Sequence, residues 1–172
     1  MGVVVINPLK VRPEQRSMPS TAFLMPSDKF WDASEPLVIT EKRNYTVADY
    51  KDFFKDIGFE DGYEMRLDTQ NLIRNLTPPN VPVHCLHGSS LPTPAGFIFP
   101  PGTFPDTYPI VKNGNGDGTV NMRSLLGCLQ WKKTQKQPLK HVVIPKAEHM
   151  DILRSSQVSK YIINVLKSDD HR

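Results

Sequence analysis

The stretch "VPVHCLHG", residues 81–88, is rich in apolar side chains and ends on a glycine, which predicts a short buried strand. A second strand is predicted over residues 141–145, "HVVIP", where β-branched residues are concentrated. Between them, residues 119–132 place apolar side chains on one face at helical spacing. Strands separated by a helix favour parallel pairing, so the sequence predicts an α/β fold: a parallel sheet with flanking helices.

The rest of the chain shows further elements around this sheet. A helix is indicated near residues 46–58, because Thr46 can cap it, Asp49 completes a capping box and Gly58 suits a left-handed terminal residue. The other predictions are a strand at residues 3–6, a proline-punctuated irregular excursion over residues 7–46, a helix near 61–76, a long loop over 89–118 and a last helix near 151–166. The last helix is expected to bury Ile152, Tyr161, Ile162, Val165 and Leu166.

Composition and charge exclude several kinds of protein. The 172 residues carry a formal net charge of +3, and the lysines and arginines are interspersed with acids, so no nucleic-acid partner is expected. No stretch approaches about 18 consecutive apolar residues, so no transmembrane segment is expected either. The first residues, "MGVVVINPLK", lack the basic region and the long apolar run of a signal peptide.

Two sequons and two cysteines nevertheless suggest a secretory history. "NYT" at Asn44 and "NLT" at Asn75 match the N-glycosylation pattern, although such triplets also arise by chance. Cys85 and Cys128 could be two buried thiols or one disulfide bond, and the residues alone leave both open. A bond between them would close a loop of about 44 residues and stabilise the fold by roughly 4 kcal/mol on the chain-entropy account.

One acid and one histidine occupy positions typical of catalysis. "NGNGDGTVN", residues 113–121, contains the single carboxylate Asp117, and "KAEHMDIL" brings His149 just before the last helix. If Asp117 follows strand 81–88 through a loop and His149 follows strand 141–145, both emerge at the carboxyl edge of a parallel sheet, where active sites of open α/β sheets lie. Acid before histidine is the chain order of an α/β-hydrolase triad. Asp117 and His149 are therefore the predicted catalytic acid and base.

The glycine-rich stretch has two other interpretations. On an EF-hand frame, position 12 is Ser124 instead of a bidentate glutamate and position 1 is the amide of Asn113, so calcium binding is rejected. A plain turn remains open, because Asn-Gly and Asp-Gly pairs tolerate positive φ. The remaining histidines fit a catalytic base less well, since they lie within strands, at strand ends or in a polar tail: His84, His87, His141 and His171.

The nucleophile of such a triad is not evident. No G-x-S-x-G elbow occurs in the 172 residues, and "HGSSLP" around Ser89 and Ser90 lacks the closing glycine and an immediate helix. Because the serine of this fold precedes the acid by several strands, we expect it before residue 1. The chain is then expected to be the C-terminal part of an α/β-hydrolase fold, with its N-terminal half absent, and to be inactive alone.

Several motifs together resemble one family of lipid enzymes. "FFKDIGFEDGYEMR", "VHCLHGSSLPTP", "GDGTVN" and "AEHMDIL" are similar to the carboxyl-terminal part of the lysosomal phospholipase A2 (group XV) branch of the lecithin–cholesterol acyltransferase family. "INPLKVRPEQRS" and "NYTVADYKDFF" also fit, so the resemblance covers nearly the whole chain.

This resemblance implies a Ser–Asp–His triad whose acid matches Asp117 and whose base matches His149. It also implies a disulfide bond between Cys85 and Cys128 and a glycan at Asn44. Members of the family cleave an acyl chain from glycerophospholipids and pass it to water or to a lipid alcohol at a membrane surface, in the lysosome or in secreted form. No cofactor is implied, because serine acyl transfer needs neither a metal nor a coenzyme.

One apolar patch marks the excursion over residues 7–46. It consists of "STAFLMP", residues 20–26, followed by Phe30 and Trp31. Such a patch either folds onto the core, which composition favours, or contacts lipid. In the light of the resemblance, the candidates for lining acyl tracks or touching the bilayer are Phe23, Leu24, Phe30 and Trp31.

These inferences predict a partial α/β-hydrolase domain over residues 1–172. The excursion of residues 7–46 would lie near a cap or lid, and residues 81–172 would form the half that bears the acid and the histidine. The alternative is a non-catalytic truncated isoform or a lipid-binding fragment, which differs in having no upstream segment with a nucleophile elbow. A soluble α/β binding module with accidental motif matches is a third interpretation.

Overall fold

The computed structural model describes residues 8–73 and 75–169. Both helices and strands occur in this range, so the protein is a mixed α/β structure. The chain divides into two compact units: the described residues up to 77 together with 96–112, and residues 78–95 together with the described residues from 113 onward. The strand predicted at residues 3–6 lies outside the described residues.

The first unit begins with regular elements where the sequence predicts an irregular excursion, so that part of the prediction is wrong. The elements are two helices and two short strands: α1 (Pro8–Arg16), α2 (Pro19–Phe23), β1 (Val38–Ile39) and β2 (Asn44–Tyr45). Pro19 occupies the first turn of α2, where the N–H that proline lacks has no helical partner in any case. Here proline begins a helix instead of preventing one.

Two further helices follow, α3 (Tyr50–Asp56) and α4 (Asp61–Thr69). The helix predicted near residues 46–58 begins later than expected because the Asp49 carboxylate accepts the Thr46 N–H at 2.9 Å and the Thr46 hydroxyl at 2.7 Å, which holds a turn before α3. Its end is as predicted, since Gly58 has a φ of +62°. The helix predicted near 61–76 ends early, at Thr69.

The core of the first unit is aromatic, and it includes part of the apolar patch. Trp31 is 8% exposed and belongs to this core, and Phe30 packs against the same cluster. A bilayer has no access to a buried indole, so for these two residues the lipid-contact hypothesis gives way to a core role. Phe23 is half-buried, whereas Leu24 is 79% exposed.

The long loop predicted over residues 89–118 is wrong, because most of it forms β4 (Leu91–Ile98) and β5 (Ile110–Gly116). Pro92 and Pro94 favoured a loop, yet both lie in β4 before Phe97, where parallel pairing with β1 starts. Their missing N–H groups therefore leave that ladder intact. β1, β2, β4 and β5 form one four-stranded sheet in the order β2-β1-β4-β5, in which β1 is antiparallel to β2.

The second unit is built on β3 (Val83–Ser89) and β6 (Leu139–Pro145). These strands pair in parallel from Val83↔Leu139 to Ser89↔Pro145, so the predicted parallel pairing is confirmed. Between these strands lies α5 (Met122–Leu125), which continues as a 3₁₀ helix (Leu126–Lys133). After β6 come a second 3₁₀ helix (Asp151–Arg154) and α6 (Ser156–Asp169).

The C-terminal helix departs from its predicted packing. On α6, Ile162 is 49% exposed and Leu166 is 62% exposed, although both were expected to be buried. Ile163 beside them is 48% exposed. Ile152, Tyr161 and Val165 are half-buried, so the apolar face that the periodicity indicates is partly covered among the described residues. None of the helices in that range is long and apolar enough to cross a bilayer.

A disulfide bond joins Cys85 of β3 to Cys128 of the first 3₁₀ helix, with a Cα–Cα distance of 6.6 Å. The two half-cystines are 43 positions apart in the sequence. The bond therefore closes a loop that contains β4, β5 and Asp117. It ties one strand of the parallel pair to the segment that follows the glycine-rich stretch.

Candidate active site

Asp117 and His149 lie in direct contact within the second unit. Asp117 directly follows β5, not strand 81–88 as predicted, and His149 follows β6 after a short turn. Nδ1 of His149 is 2.9 Å from Oδ2 of Asp117. The main chains also meet, since the His149 N–H donates to the Asp117 carbonyl at 3.0 Å. The acid and the histidine are thus held together by both backbone and side chain.

The carboxylate of Asp117 is buried and fully engaged. The residue is 3% exposed, and Oδ1 accepts the N–H groups of Thr119 at 3.1 Å and Val120 at 2.8 Å. Burial raises the pKa of the Asp117 carboxyl, but hydrogen bonds from Val120, His149 and Thr119 lower it more, so the net pKa lies below the ordinary 3.8. Asp117 is therefore ionised at neutral and mildly acidic pH.

The lowered pKa also makes Asp117 a stabilising group. Because its pKa is lower in the folded state than in the unfolded chain, the stabilisation is complete above the unfolded pKa, near 3.8. It is lost as the pH falls through the folded value.

The pairing selects one tautomer of His149. An ionised carboxylate only accepts hydrogen bonds, so Nδ1 of His149 carries the proton that lies between the two side chains. In the neutral imidazole the free lone pair is then on Nε2, which can take a proton from a hydroxyl group. The His149 side chain is 39% exposed, so it is accessible from outside the described structure.

A close approach of three segments sets this geometry. A Cβ added at Gly88, near the end of β3, would lie 2.0 Å from the Ala147 carbonyl oxygen and 3.0 Å from Cβ of Asp117. Lys146 has a φ of +61°, and its N–H donates to the Ser89 carbonyl at 2.8 Å. Only glycine at position 88 allows β3, Asp117 and the turn before His149 to lie this close.

The other described histidines have different partners. Nδ1 of His87 lies 2.8 Å from the Gly88 carbonyl and its Nε2 lies 2.7 Å from Nε2 of His141. Nδ1 of His84 is 2.7 Å from the Tyr161 hydroxyl. Burial, together with the nearby His87 and Lys132, lowers the pKa of His141. Of the four histidines within residues 8–73 and 75–169, His149 is the one whose ring contacts a carboxylate, and His171 lies outside that range.

The serines nearest to the G-x-S-x-G pattern do not complete the pair. Ser89 is 6% exposed, and its Oγ lies 3.3 Å from Oγ of Ser90 instead of contacting His149. The Ser90 N–H donates to Oδ1 of Asn115 at 2.9 Å. In the described part of the chain, no cluster of three or more histidine, cysteine or acidic side chains is arranged to hold a metal ion.

Two residues that shape the site were missed at the level of sequence. From the sequence, Gly88 is expected to end a strand and Thr93 to lie in the long loop predicted over residues 89–118. Thr93 is in fact completely buried in β4, at 0% exposure. Neither residue carries a local signal of its role, because each acts through segments distant in the sequence.

The chain resembles known proteins over almost its whole length. The family profile for lecithin:cholesterol acyltransferase matches residues 1–157. The chain belongs to this family. The family assignment made from the motifs is thereby confirmed.

Individual members of the acyltransferase family agree with this assignment. The chain is 43% identical over 164 residues to the lysosomal phospholipase A and acyltransferase of Mus musculus, which covers 95% of the chain and 39% of that protein. Identity to the enzyme of the same name from Homo sapiens is 42% over 164 residues, which covers 95% of the chain and 39% of that protein. Identity to the phosphatidylcholine-sterol acyltransferase of Oryctolagus cuniculus is 35% over 166 residues, which covers 96% of the chain and 38% of that protein. The chain thus spans less than half the length of these relatives.

Proposed function

We propose that the chain supplies the acid and the base of a serine-dependent phospholipase and O-acyltransferase. The observation that carries the proposal is the 2.9 Å contact between Nδ1 of His149 and the buried carboxylate of Asp117. Membership of the acyltransferase family supports a lipid ester as substrate. The proposed substrates are a glycerophospholipid as acyl donor and water or a lipid alcohol as acceptor, both at a membrane surface.

The chemistry follows from the tautomer that Asp117 selects. Nε2 of His149 takes the proton of a serine hydroxyl as the serine oxygen attacks the ester carbonyl, and Asp117 stabilises the imidazolium that forms. When the tetrahedral intermediate collapses, the C–O bond to the glycerol oxygen breaks and that oxygen takes the proton from Nε2. Water or a lipid alcohol then gives a proton to Nε2 and attacks the acyl-serine ester. The released product is a fatty acid or a new ester, and the proton returns to the serine.

The proposal requires a serine from a segment of the protein that precedes residue 1. On this view residues 1–172 are the C-terminal part of an α/β-hydrolase domain. Two features of the second unit support an adjoining segment. Among the described strands, β3 and β6 pair only with each other, and α6 leaves Ile162, Ile163 and Leu166 exposed. Strand edges and apolar faces of this kind are normally covered in a complete domain.

The test compares this chain with a version extended by a natural N-terminal segment that carries a G-x-S-x-G elbow. We expect the extended protein to release fatty acid from phosphatidylcholine vesicles at acid pH, and this chain alone to release none. Turnover by this chain alone that disappears with His149→Ala would contradict the proposed source of the nucleophile. An extended protein with no turnover would favour the alternative of a non-catalytic, lipid-binding product.

Leu24 is the best-exposed candidate for lipid contact. It follows α2, and the buried Arg66 donates to the carbonyls of Phe23 at 3.5 Å and Pro26 at 3.3 Å, which holds this turn in place. We expect Leu24→Ser in the extended protein to weaken binding to liposomes by between about tenfold and a hundredfold, since burying one leucine in lipid contributes roughly 1.5–3 kcal/mol. Sedimentation with liposomes measures this effect.

The control for the liposome experiment is Leu153→Ser. Leu153 is 75% exposed but lies in the second unit, so its replacement removes a similar apolar surface elsewhere. Equal binding by wild type and Leu24→Ser, or equal losses for the two variants, would rule out a specific lipid contact at Leu24.

The sequons support a route through the secretory pathway. Asn44 and Asn75 are both exposed, so a glycan at either position meets no steric obstacle among the described residues. We propose that both are glycosylated and that the protein is lysosomal or secreted. Enzymatic deglycosylation of the protein expressed in animal cells is expected to lower its mass, and Asn44→Gln combined with Asn75→Gln to remove that shift. An unchanged mass would contradict the proposal.

A further inference from the structure

We propose that Thr93 is a positioning residue for the candidate catalytic acid and that it acts through the backbone on both sides of Asp117. This inference rests on the proposed function, since it assigns a role within the same site. Thr93 lies within the motif "VHCLHGSSLPTP", but neither that motif nor the family match gives it a role in the site.

The hydroxyl of Thr93 holds the residue that follows the acid. Its Oγ1 accepts the N–H of Gly118 at 2.9 Å and donates to the carbonyl of Leu91 at 3.0 Å. Gly118 has a φ of +89°, so the chain turns sharply directly after Asp117. Thr93 itself is completely buried, at 0% exposure, so no water molecule replaces either bond if the hydroxyl is removed.

Thr93 also contacts the residue that precedes the acid. A Cβ added at Gly116 would lie 2.6 Å from Oγ1 of Thr93 and 2.9 Å from its Cβ. The end of β5 therefore packs directly against this side chain, with no space for anything larger than glycine. Leu91 of the same strand forms an isolated parallel bridge with Asp117. The backbone on either side of Asp117 is thus fixed by one buried threonine.

Fixing this backbone fixes the carboxylate. Oδ1 of Asp117 takes its bonds from Thr119 and Val120, which belong to the turn that begins at Gly118. A shift of that turn would move Oδ1, and with it the Oδ2 atom that orients His149. Catalytic groups displaced by about 1 Å lose roughly a hundredfold in rate. Thr93 touches no reacting atom, so its effect must appear in kcat and in the state of His149.

The test compares Thr93→Val, which keeps the shape and removes the hydroxyl, with Thr93→Ser, which keeps the hydroxyl. In the extended, serine-bearing protein we expect Thr93→Val to lower kcat by between about tenfold and a hundredfold, with KM changed less than about twofold. Thr93→Ser should retain kcat within about threefold. The matched control is Thr134→Val, because Thr134 is exposed and its hydroxyl donates to the Gln130 and Trp131 carbonyls of the 3₁₀ helix that precedes it.

A second readout does not depend on the serine. In proton NMR, the Nδ1 proton of His149 that lies against Asp117 should be visible in the wild type and in Thr93→Ser. In Thr93→Val it should be broadened or lost, while amide signals of the β3–β6 pair stay in place. If Thr93→Val does not fold, hydrogen exchange of the Gly118 amide in the wild type tests the bond to Thr93 instead. We expect this exchange to be at least about a hundredfold slower than in an unfolded chain.

The outcomes separate this inference from the proposed function. Wild-type kcat and an unchanged Nδ1 signal in Thr93→Val, or a freely exchanging Gly118 amide, would overturn the role of Thr93. Such a result would leave the proposed function standing if Asp117→Asn is inactive. Retained activity in Asp117→Asn would instead refute the proposed function itself. If kcat is retained in Thr93→Ser and lost in Thr93→Val, the Thr93 hydroxyl positions the acid. If both variants lose kcat equally, the side chain only fills space.

Discussion

Replacing Asp117 with asparagine in the extended, serine-bearing protein is expected to lower kcat by about 10⁴-fold, because the same change in other Ser–His–Asp triads costs that much. The substitution keeps the size of the side chain and removes only its charge and one acceptor. The fold should therefore survive, and the loss should be chemical.

The expected cause is the wrong tautomer of His149. Oδ1 of residue 117 accepts the N–H groups of Thr119 and Val120, so in the variant the amide oxygen stays on that side. The amide NH₂ then faces Nδ1 of His149 and makes Nδ1 the acceptor. The remaining imidazole proton moves to Nε2, which can no longer take the proton of a serine.

The measurement is the initial rate of fatty acid release from phosphatidylcholine vesicles, with circular dichroism as a check of folding. Asp151→Asn is the matched control, since Asp151 lies two positions after His149 and is exposed. It removes an equal charge near the site without touching Asp117, so its rate should stay within about twofold of wild type, as removal of an exposed charge contributes little. A rate for Asp117→Asn within tenfold of wild type would exclude Asp117 as the acid of a triad.

Removing the disulfide bond with Cys85→Ala and Cys128→Ala is expected to lower the free energy of unfolding by about 4 kcal/mol. The two half-cystines are separated by 43 positions, so the bond closes a long loop in the unfolded chain. Without it the unfolded ensemble gains conformational freedom, whereas the folded state loses only the sulfur contacts. For a domain whose total stability is about 5–15 kcal/mol, this is a large share.

Urea unfolding followed by circular dichroism measures the change. The wild type in excess reductant should unfold at the same urea concentration as the double variant, and reductant should not affect the variant. A difference in the free energy of unfolding below about 1 kcal/mol would contradict the chain-entropy account, because the bond would then barely restrict the unfolded chain. If the double variant is already unfolded without urea, the wild type is titrated with reductant instead. Its loss of folded structure as the bond is reduced then gives the same comparison. The extended protein should show the larger part of the loss in its second unit, where β3 holds Cys85.

The agreement between sequence and structure depends on the kind of signal. The parallel pairing of β3 with β6 was predictable, because strands separated by a helical segment have few other arrangements. The end of α3 was predictable for a local reason, since Gly58 alone tolerates the left-handed conformation there. The loop predicted over residues 89–118 is wrong because prolines such as Pro92 and Pro94 normally interrupt strands, and only the register of β1 against β4 shows that they do not interfere here.

Burial was the least predictable property. Composition favours a core role for the apolar patch, whereas the resemblance makes Phe30 and Trp31 candidates for lipid contact; both pack into the core of the first unit. Ile162 and Leu166 looked like core residues, yet they are exposed on α6. Periodicity identifies which side chains share a face, but what covers that face depends on segments far away in the sequence.

The sequence alone determined the family, the chain order of Asp117 and His149, the two cysteines and the absence of a G-x-S-x-G elbow, because these depend on residue identity and spacing. Only the tertiary structure decided that the carboxylate meets the imidazole at 2.9 Å and that Gly88 and Thr93 hold the surrounding backbone. The physical reason is that hydrogen bonds and steric contacts act over a few ångströms in space. Residues 93, 117 and 149 are far apart in the sequence and become neighbours only in the folded chain.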